Sequence, residues 1–367
     1  MSRIYTSEQV SRGHVDKICD QIADAIVTDC LQHDKDSRVA IECLIKNNSV
    51  ILAGELTSRH DPDYASIVAG VFRRIGIAKL YDEVNVEGHI TKQSADIALG
   101  VDKGGAGDQG IMYGYATNET PELLPVPFAV ATKFLHHLED FDTHFLLPDA
   151  KAQVSYDYDK GRITTFLCSV QHTEDADEHM IRSVIEPLMI LTAAEYSLNT
   201  DFEKLINPTG RFVIGGSQAD CGVTGRKLAC DTYGGIGHIG GGALSGKDPS
   251  KVDRSAAYMA RKIARDLVKG GYCDRCEVSI AYAIGKAEPV SVTIETFGTA
   301  YVCRNCLDMY VAANYDLTPQ GIISCLHLLD VDYNTVSSGG HFGKGWLPWE
   351  MDDEDANDLY GCEEDED

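Results

Sequence analysis

The chain has 367 residues, enough to bury a large core and to divide into two or three units. With 57 acidic against 32 basic residues its net charge is −25, which argues against nucleic acid or an anionic membrane surface as a partner. Any bound polyphosphate therefore requires a locally basic pocket on an acidic body. No apolar run reaches membrane-span length, and the N-terminal MSRIYTSEQ lacks the apolar segment of a signal peptide. Twelve cysteines without such a signal predict reduced thiols and a cytoplasmic location.

Residues 14–33 carry Ile18, Ile22, Ile26 and Cys30 at four-residue steps, which predicts an amphipathic helix. RVAIECLIK and SVILAGELT then read as two strands joined at Asn47-Asn48, a hairpin signal, with a helix near Tyr64–Ile75. Within that hairpin Glu42 is two residues from Ala40 and Leu44, which predicts a carboxylate on their face, buried and in need of a cation. The pattern returns as AQVSYDYD, a Lys160-Gly161 turn, RITTFLCSVQH and a helix near Glu178–Glu195. It returns again as CEVSIAYAIG, PVSVTIETFG and helices between Cys303 and Leu329. Three hairpin-plus-helix units predict an internal structural repeat, each hairpin with one apolar face to be covered by helices and by another sheet. The stretch from Lys92 to Glu119 contains a Gly-rich part that reads as mobile. The tail from Asp352 is almost all Asp and Glu and is predicted to be disordered by self-repulsion. Cys273/Cys276 and Cys303/Cys306 form two C-x-x-C pairs, but their separation exceeds the usual zinc-ribbon spacing, so free thiols are the preferred reading.

The stretch with the most chemistry is Gly240 to Tyr258, GGGALSGKDPSKVDRSAAY. Its glycines allow close backbone approach to a ligand, and Lys247, Lys251 and Asp253 follow before a helical pattern with Ala256, Ala260, Ile263 and Leu267 on one face. Amides, ammonium groups and a carboxylate beside a helix start suit a polyphosphate with Mg²⁺. Gly241, Gly246 and Lys247 fit G-x-x-x-x-G-K, yet Asp248 replaces the Ser or Thr of a P-loop, and TYGGIGHI before it is no buried strand. Ser11 to Lys17, SRGHVDK, places His14 and Asp16 at a helix start, where a proton donor and a metal carboxylate can face one site, or can simply cap the helix.

The 240–258 string resembles the glycine-lysine-aspartate signature of the S-adenosylmethionine synthetase (methionine adenosyltransferase) family, and GAGDQGIMYGYA resembles its other signature. SRGHVDK is similar to the family's SEGHPDK, with Arg12 and Val15 departing from it; PDAK at 148–151 is similar to a second motif, with Leu147 in place of Arg. NPTGRFVIGGSQADCGVTGRKLACDTYGG departs at Ser217 and Ala219, and GHFGKGWLPWE is also family-like. The resemblance runs from about Thr6 to Glu350. It implies an α+β fold of three similar domains related by a pseudo-threefold axis, placed at 3–101, 102–214 and 215–351, with 352–367 as the tail.

The implied reaction is attack of the methionine sulfur on C5′ of ATP, followed by hydrolysis of the tripolyphosphate to pyrophosphate and phosphate. A thioether is a weak nucleophile, so rate must come from alignment and from stabilising the leaving oxyanion. By resemblance, His14, Lys151, Lys247, Arg226 and Asp108 serve the chemistry. Asp149, Arg211, Phe212, Asp220, Lys227 and Ala243 join them around ATP. Glu55, Gln93, Asp220, Lys251 and Ile284 hold methionine. Asp16 and Asp253 hold two Mg²⁺, and Glu42 holds K⁺. Gln93 begins a lid that is shorter than usual for the family. The implied assembly is a homodimer with shared sites, joined through flat sheet faces such as that of Val50, Leu52 and Gly54, with pairing into tetramers left open. Two other readings compete. A kinase or ATPase built on the 240–258 loop would release ADP. A catalytically impaired regulatory homologue, suggested by Arg12, Val15 and Leu147, would bind nucleotide without making product.

Overall fold

The computed structural model describes residues 3–78, 83–92 and 104–360. Gln93 and the start of the expected lid lie outside these residues. The period-2 runs form hairpins where they were expected. β2 (Arg38–Lys46) and β3 (Ser49–Thr57) turn at Asn47, which adopts φ 51°; β6 (Leu146–Asp157) and β7 (Arg162–His172) turn at Gly161, φ 63°; β10 (Arg275–Tyr282) pairs with β11 (Ser291–Glu295). Each hairpin anchors one sheet, and each sheet is completed by one or two strands from elsewhere. β4 (Asn85–Thr91) and the two-residue β9 (Gly222–Val223) flank the first, giving the order β4-β3-β2-β9. β1 (Ile4–Val10) and β8 (Glu203–Ile206) flank the second, β1-β6-β7-β8; β5 (Gly110–Thr117) completes the third, β11-β10-β5. The sheets therefore exchange strands across the expected boundaries near 101 and 214.

Helices cover these sheets. α1 (Val15–His33) packs on the first hairpin together with α2 (Tyr64–Ile75); α3 (Val126–Asp140) and α4 (Glu178–Glu195) pack on the second; α5 (Val252–Lys269) packs on β5 and β10. The second hairpin and its helices enclose one core around Phe134, Phe166 and Ile185. The other two units share a larger core in which Ile22, Ile26, Val39, Ile41, Ala260 and Ile263 are all buried. α6 (Arg304–Asn314) and α7 (Pro319–Cys325) follow the third hairpin.

Four sequence expectations are corrected. Glu42 is exposed: in β2 the buried parity is Val39, Ile41, Cys43 and Ile45, and Ala40, Glu42 and Leu44 look outward. The bulkier set with β-branched side chains takes the core side. Val50 and Leu52 are likewise fully buried in the chain's own core, so the open face of this hairpin is Ala40, Glu42, Leu44, Ile51, Ala53 and Glu55. Within the 92–119 stretch, read as containing a mobile part, residues 110–117 form a regular strand paired residue by residue with β10. The start of the acidic tail is α8 (Asp353–Tyr360), not disordered chain. Asp352 and Asp353 meet Lys262, Arg265 and Lys269 of α5, and Ala356 is buried, so the repulsion among the acids is offset by cations distant in sequence.

Gly114 shows how tightly β5 is held. A Cβ there would stand 1.9 Å from the backbone carbonyl carbon of Ala260 and 2.1 Å from its oxygen. Neither can move without shifting α5. Gly114→Ala is expected to cost at least the ~1–3 kcal/mol typical of overpacking, read as a lower urea midpoint in equilibrium unfolding.

Candidate active site

α1 is buried all the way round over its first four turns, although it carries Asp16, Asp20 and Asp24 at four-residue intervals. Such a stripe is tolerable only if every carboxylate is met by donors. The segment 222–254 supplies them. Val223 N–H donates to Asp16 Oδ1 (3.0 Å), Gly225 N–H to Asp20 Oδ1 (2.9 Å), and Gly246 N–H and Ser245 Oγ to Asp24 (3.0 Å each). The fully buried Arg254 guanidinium pairs with Asp24 and lies over the Tyr333 ring. Lys17, also buried, bridges Asp20 and Asp231. Burial pushes the Asp231 carboxyl up to about 7, against the pull of Lys17.

The same segment pairs along β2. Leu44 faces Val223, and four residues back Ala40 faces Lys247. The two ends of this seam are thus about 13 Å apart along the strand, and between them Gly225 (φ 73°) packs against Ala243 with no room for a Cβ. The seam therefore gathers Asp16, Arg226, Lys227, Ala243, Lys247 and Asp253.

At the first end His14 caps α1. Its Nδ1 accepts from the Asp16 N–H (3.2 Å), which places the ring proton on Nε2. Burial first, then Lys227 and Lys151, push this imidazole down to about 3. It is a neutral hydrogen-bond donor at physiological pH. Lys227 Nζ donates to Asp16 Oδ2 (2.7 Å), and Arg226 approaches Asp16 at 3.9 Å. Burial alone would raise the Asp16 carboxyl; Lys227 and the Val223 amide outweigh it and hold it below the usual carboxylate range.

Beyond His14 the Ser11 hydroxyl accepts from Ala150 N–H and donates to the Pro148 carbonyl, clamping the PDAK strand to the helix start. Gly13 is required there, because a Cβ would lie 2.5 Å from Pro148. Asp149 accepts from Gly216 N–H (2.7 Å). A cavity of about 470 Å³ opens at this point, lined by Gly13, Leu147, Asp149, Gln171, Val213 and Ile214 among others. Leu147 adds an apolar wall to it.

At the far end Lys247 Nζ donates to Asp253 Oδ2 (2.7 Å), and Lys251 Nζ to Asp248 Oδ2 (2.7 Å). Asp248 also accepts from Val39 N–H, which fixes the loop to β2. The glycines here approach protein atoms closely: a Cβ on Gly242 would meet Asp253 at 2.1 Å, and one on Gly246 (φ 81°) would meet the Ile41 carbonyl oxygen at 2.2 Å. Asp108 is exposed and bonds the Gln109 N–H. Its segment is tied to the Ile284 loop by Ala106 N–H to Lys286 O and Gly285 N–H to Ala106 O. Gly110 lies beside Asp253.

Other expected site residues stand apart. Arg211 is exposed and makes a two-pronged bond with Glu174, while Phe212 N–H donates to His172 Nε2. Asp220 is exposed and accepts from Cys221 N–H. Glu55 faces Ala40 on the open hairpin face, whereas Lys151, exposed on β6 opposite Val10, is near enough to act on His14 and Asp149. Of the departures, Arg12 turns to Glu139 on α3, Val15 joins the core, and Ser217 donates to the Asn47 carbonyl, tying its loop to the first hairpin. Sequence reasoning missed Asp20, Asp24, Asp231 and Arg254; the spacing of Asp16, Asp20 and Asp24 was the available signal. Among the described residues the four C-x-x-C sulfurs form no common ligand set.

The helix N-terminus with its imidazole, the two lysine–carboxylate pairs on one seam and the adjoining cavity lie in a chain that belongs to the S-adenosylmethionine synthetase family. The family's N-terminal, central and C-terminal domain models match residues 2–95, 103–212 and 214–351. The chain is similar to the S-adenosylmethionine synthase of Akkermansia muciniphila, 46% identical over 376 residues, covering 96% of this chain and 95% of that protein. It is 44% identical to the enzyme of the same name from Mesoplasma florum over 368 residues, 96% and 98% of the two chains. A third relative of that name, from Mycoplasma capricolum, is 44% identical over 365 residues, 95% and 94%. The three-domain α+β architecture is that of the family.

Proposed function

We propose that the chain forms S-adenosylmethionine by attack of the methionine sulfur on C5′ of ATP, and then hydrolyses the expelled tripolyphosphate. The observation that carries this reading is the seam itself: on a chain of net charge −25, Arg226, Lys227 and Lys247 are gathered beside Asp16 and Asp253. The triphosphate would lie along it, with the nucleoside toward the cavity at Asp149, Arg211 and Phe212. His14 would present Nε2–H to the 5′ oxygen as charge develops there, a donor aimed in advance at the leaving group.

The residues fit Mg²⁺. It prefers oxygen ligands and is commonly held by one or two carboxylates with substrate phosphates. Asp16 and Asp253 each already hold an ammonium group at 2.7 Å, from Lys227 and Lys247. These two carboxylates would hold the two ions, which when bound neutralise the triphosphate. Lys227 and Lys247, displaced from their partners, would then turn to the phosphate oxygens.

Methionine is assigned to Glu55, Gln93, Asp220, Lys251 and Ile284, and Asp108 to the substrate side of the Gly110 strand. The open hairpin face supports a homodimer. Ala40, Leu44, Ile51 and Ala53 form an apolar surface that also carries Glu42 and Glu55. Pairing two such faces would bury both carboxylates, and each would need a cation: K⁺ for Glu42, the methionine ammonium for Glu55. Partial desolvation already raises the Glu42 carboxyl, against the pull of Lys247. Each active site would then be shared between two subunits, and such dimers would be able to pair into tetramers. No described helix is long and apolar enough to cross a membrane. The buried free thiols of Cys19, Cys30 and Cys168 support a reducing cytosol.

Incubating the protein with ATP, methionine, Mg²⁺ and K⁺ should yield S-adenosylmethionine by mass, with phosphate and pyrophosphate. ADP as the product would favour a kinase or ATPase, and bound nucleotide without product an impaired homologue. Arg226→Leu should slow tripolyphosphate hydrolysis by roughly 10²-fold, the scale of losing one preorganised donor, with a smaller loss in synthesis. Rates of the two half-reactions check this; equal losses would remove Arg226 from its assigned place.

A further inference from the structure

We propose that Asp29, His33 and His60 form a binding site for one divalent transition-metal ion of the zinc type, cross-linking the end of α1 to the loop after β3. Each residue offers a donor atom, and these atoms lie within 4.8 Å of one another. Asp29 and His33 are four residues apart near the C-terminal end of α1, so they share one helix face. His60 reaches them from the 58–63 loop. Its ring stacks on that of His33, centroids 4.0 Å apart and planes at 10°, and its Nε2 is 2.7 Å from Asp29 Oδ2. His33 Nδ1 donates to the Asp29 carbonyl oxygen (2.8 Å), which leaves Nε2 as the lone-pair nitrogen.

Tetrahedral zinc, with ligand bonds near 2.0–2.2 Å, needs donor atoms about 3.3 Å apart. The His33 side chain is 55% exposed and the Asp29 and His60 side chains are about a quarter exposed, so the two rings are free to leave their parallel stack and swing until both lone pairs meet one ion, and a water can take the fourth position. The ion would replace the His60–Asp29 hydrogen bond, the proton of His60 moving to its other ring nitrogen. Two imidazoles and a carboxylate select zinc, nickel or cobalt over Mg²⁺, which prefers an all-oxygen shell. The C-terminal end of the α1 dipole adds negative potential. The neighbouring cation, Arg59, is held by Asp34 and Asp36. This place is roughly 20 Å along α1 from Asp16, well removed from the seam.

The test is calorimetric titration of ZnCl₂ into the full chain in excess Mg²⁺. A Cys303→Ser/Cys306→Ser background keeps that exposed thiol pair from competing. One zinc per chain and a rise in Tm are expected. His60→Gln and His33→Gln, each in this background, should weaken binding by more than the roughly 10–100-fold that loss of an outer-shell partner costs. Both should abolish the zinc-dependent rise in Tm while the zinc-free Tm stays near that of the parent. Two variants are used so that one folding poorly does not decide the matter. Absence of a zinc site in the parent, or equal affinity and stoichiometry in the variants, overturns the proposal.

Discussion

Replacing His14 by alanine is expected to lower the rate of S-adenosylmethionine formation by ~10²–10⁴, the range for a positioned acid–base group. The substitution also removes the N-cap of α1, so alanine alone confounds two effects. His14→Asn separates them. Its amide oxygen can accept the Asp16 N–H and keep the cap, worth about 1 kcal/mol, while Nε2–H is lost. The expected result is a stability near that of the parent with turnover still strongly reduced, read by mass-detected product and by thermal unfolding. Unchanged turnover in His14→Asn would take the imidazole out of the chemistry.

The pH dependence carries a sign. In the unfolded chain His14 takes up a proton near its ordinary 6.5; in the folded chain burial, Lys227 and Lys151 delay this until about 3. Between those values the unfolded state binds more protons, so His14 makes the protein less stable as pH falls through that window. The asparagine variant lacks this loss. The Tm difference between it and the parent should therefore shift in its favour on going from pH 7 to pH 5.

The second large effect concerns the fold. Asp24→Ala should destabilise by about 3–5 kcal/mol, the cost of leaving a buried charge without its partner. The stranded group is Arg254, fully buried and bonded also to the Leu244 carbonyl. The Gly246 N–H and Ser245 hydroxyl lose their acceptor as well. A denaturant midpoint close to the parent value would mean that the pair is dispensable. Because the Gly246 amide is anchored by Asp24 and adjoins Lys247, activity should fall at temperatures where the variant remains folded.

The three hairpins were legible because alternation and turn residues are local signals, as was α5 from its alanine face. Parity was less so. Between Arg38 and Lys46 both sides of this strand are apolar apart from Glu42, and only packing shows that Val39, Ile41, Cys43 and Ile45 turn inward. The site motifs were visible as strings. What the strings could not show is that Asp16, Asp20 and Asp24 are satisfied by amides some 200 positions later, or that the lysines of the 247–251 loop are already engaged by Asp253 and Asp248. The tail was misread for a related reason: Lys262, Arg265 and Lys269 point toward it from a helix whose sequence is remote.

The exchange of strands among the three sheets also bears on how the chain is made. Ile4 pairs with Asp157, and Leu44 with Val223. A nascent polypeptide leaving the ribosome cannot finish its first sheet until more than half of it has been synthesised. Such long loop closures slow folding and leave strand edges open meanwhile. Assistance by chaperones during translation, and poor recovery of the three segments expressed separately, are the biological corollaries of that topology.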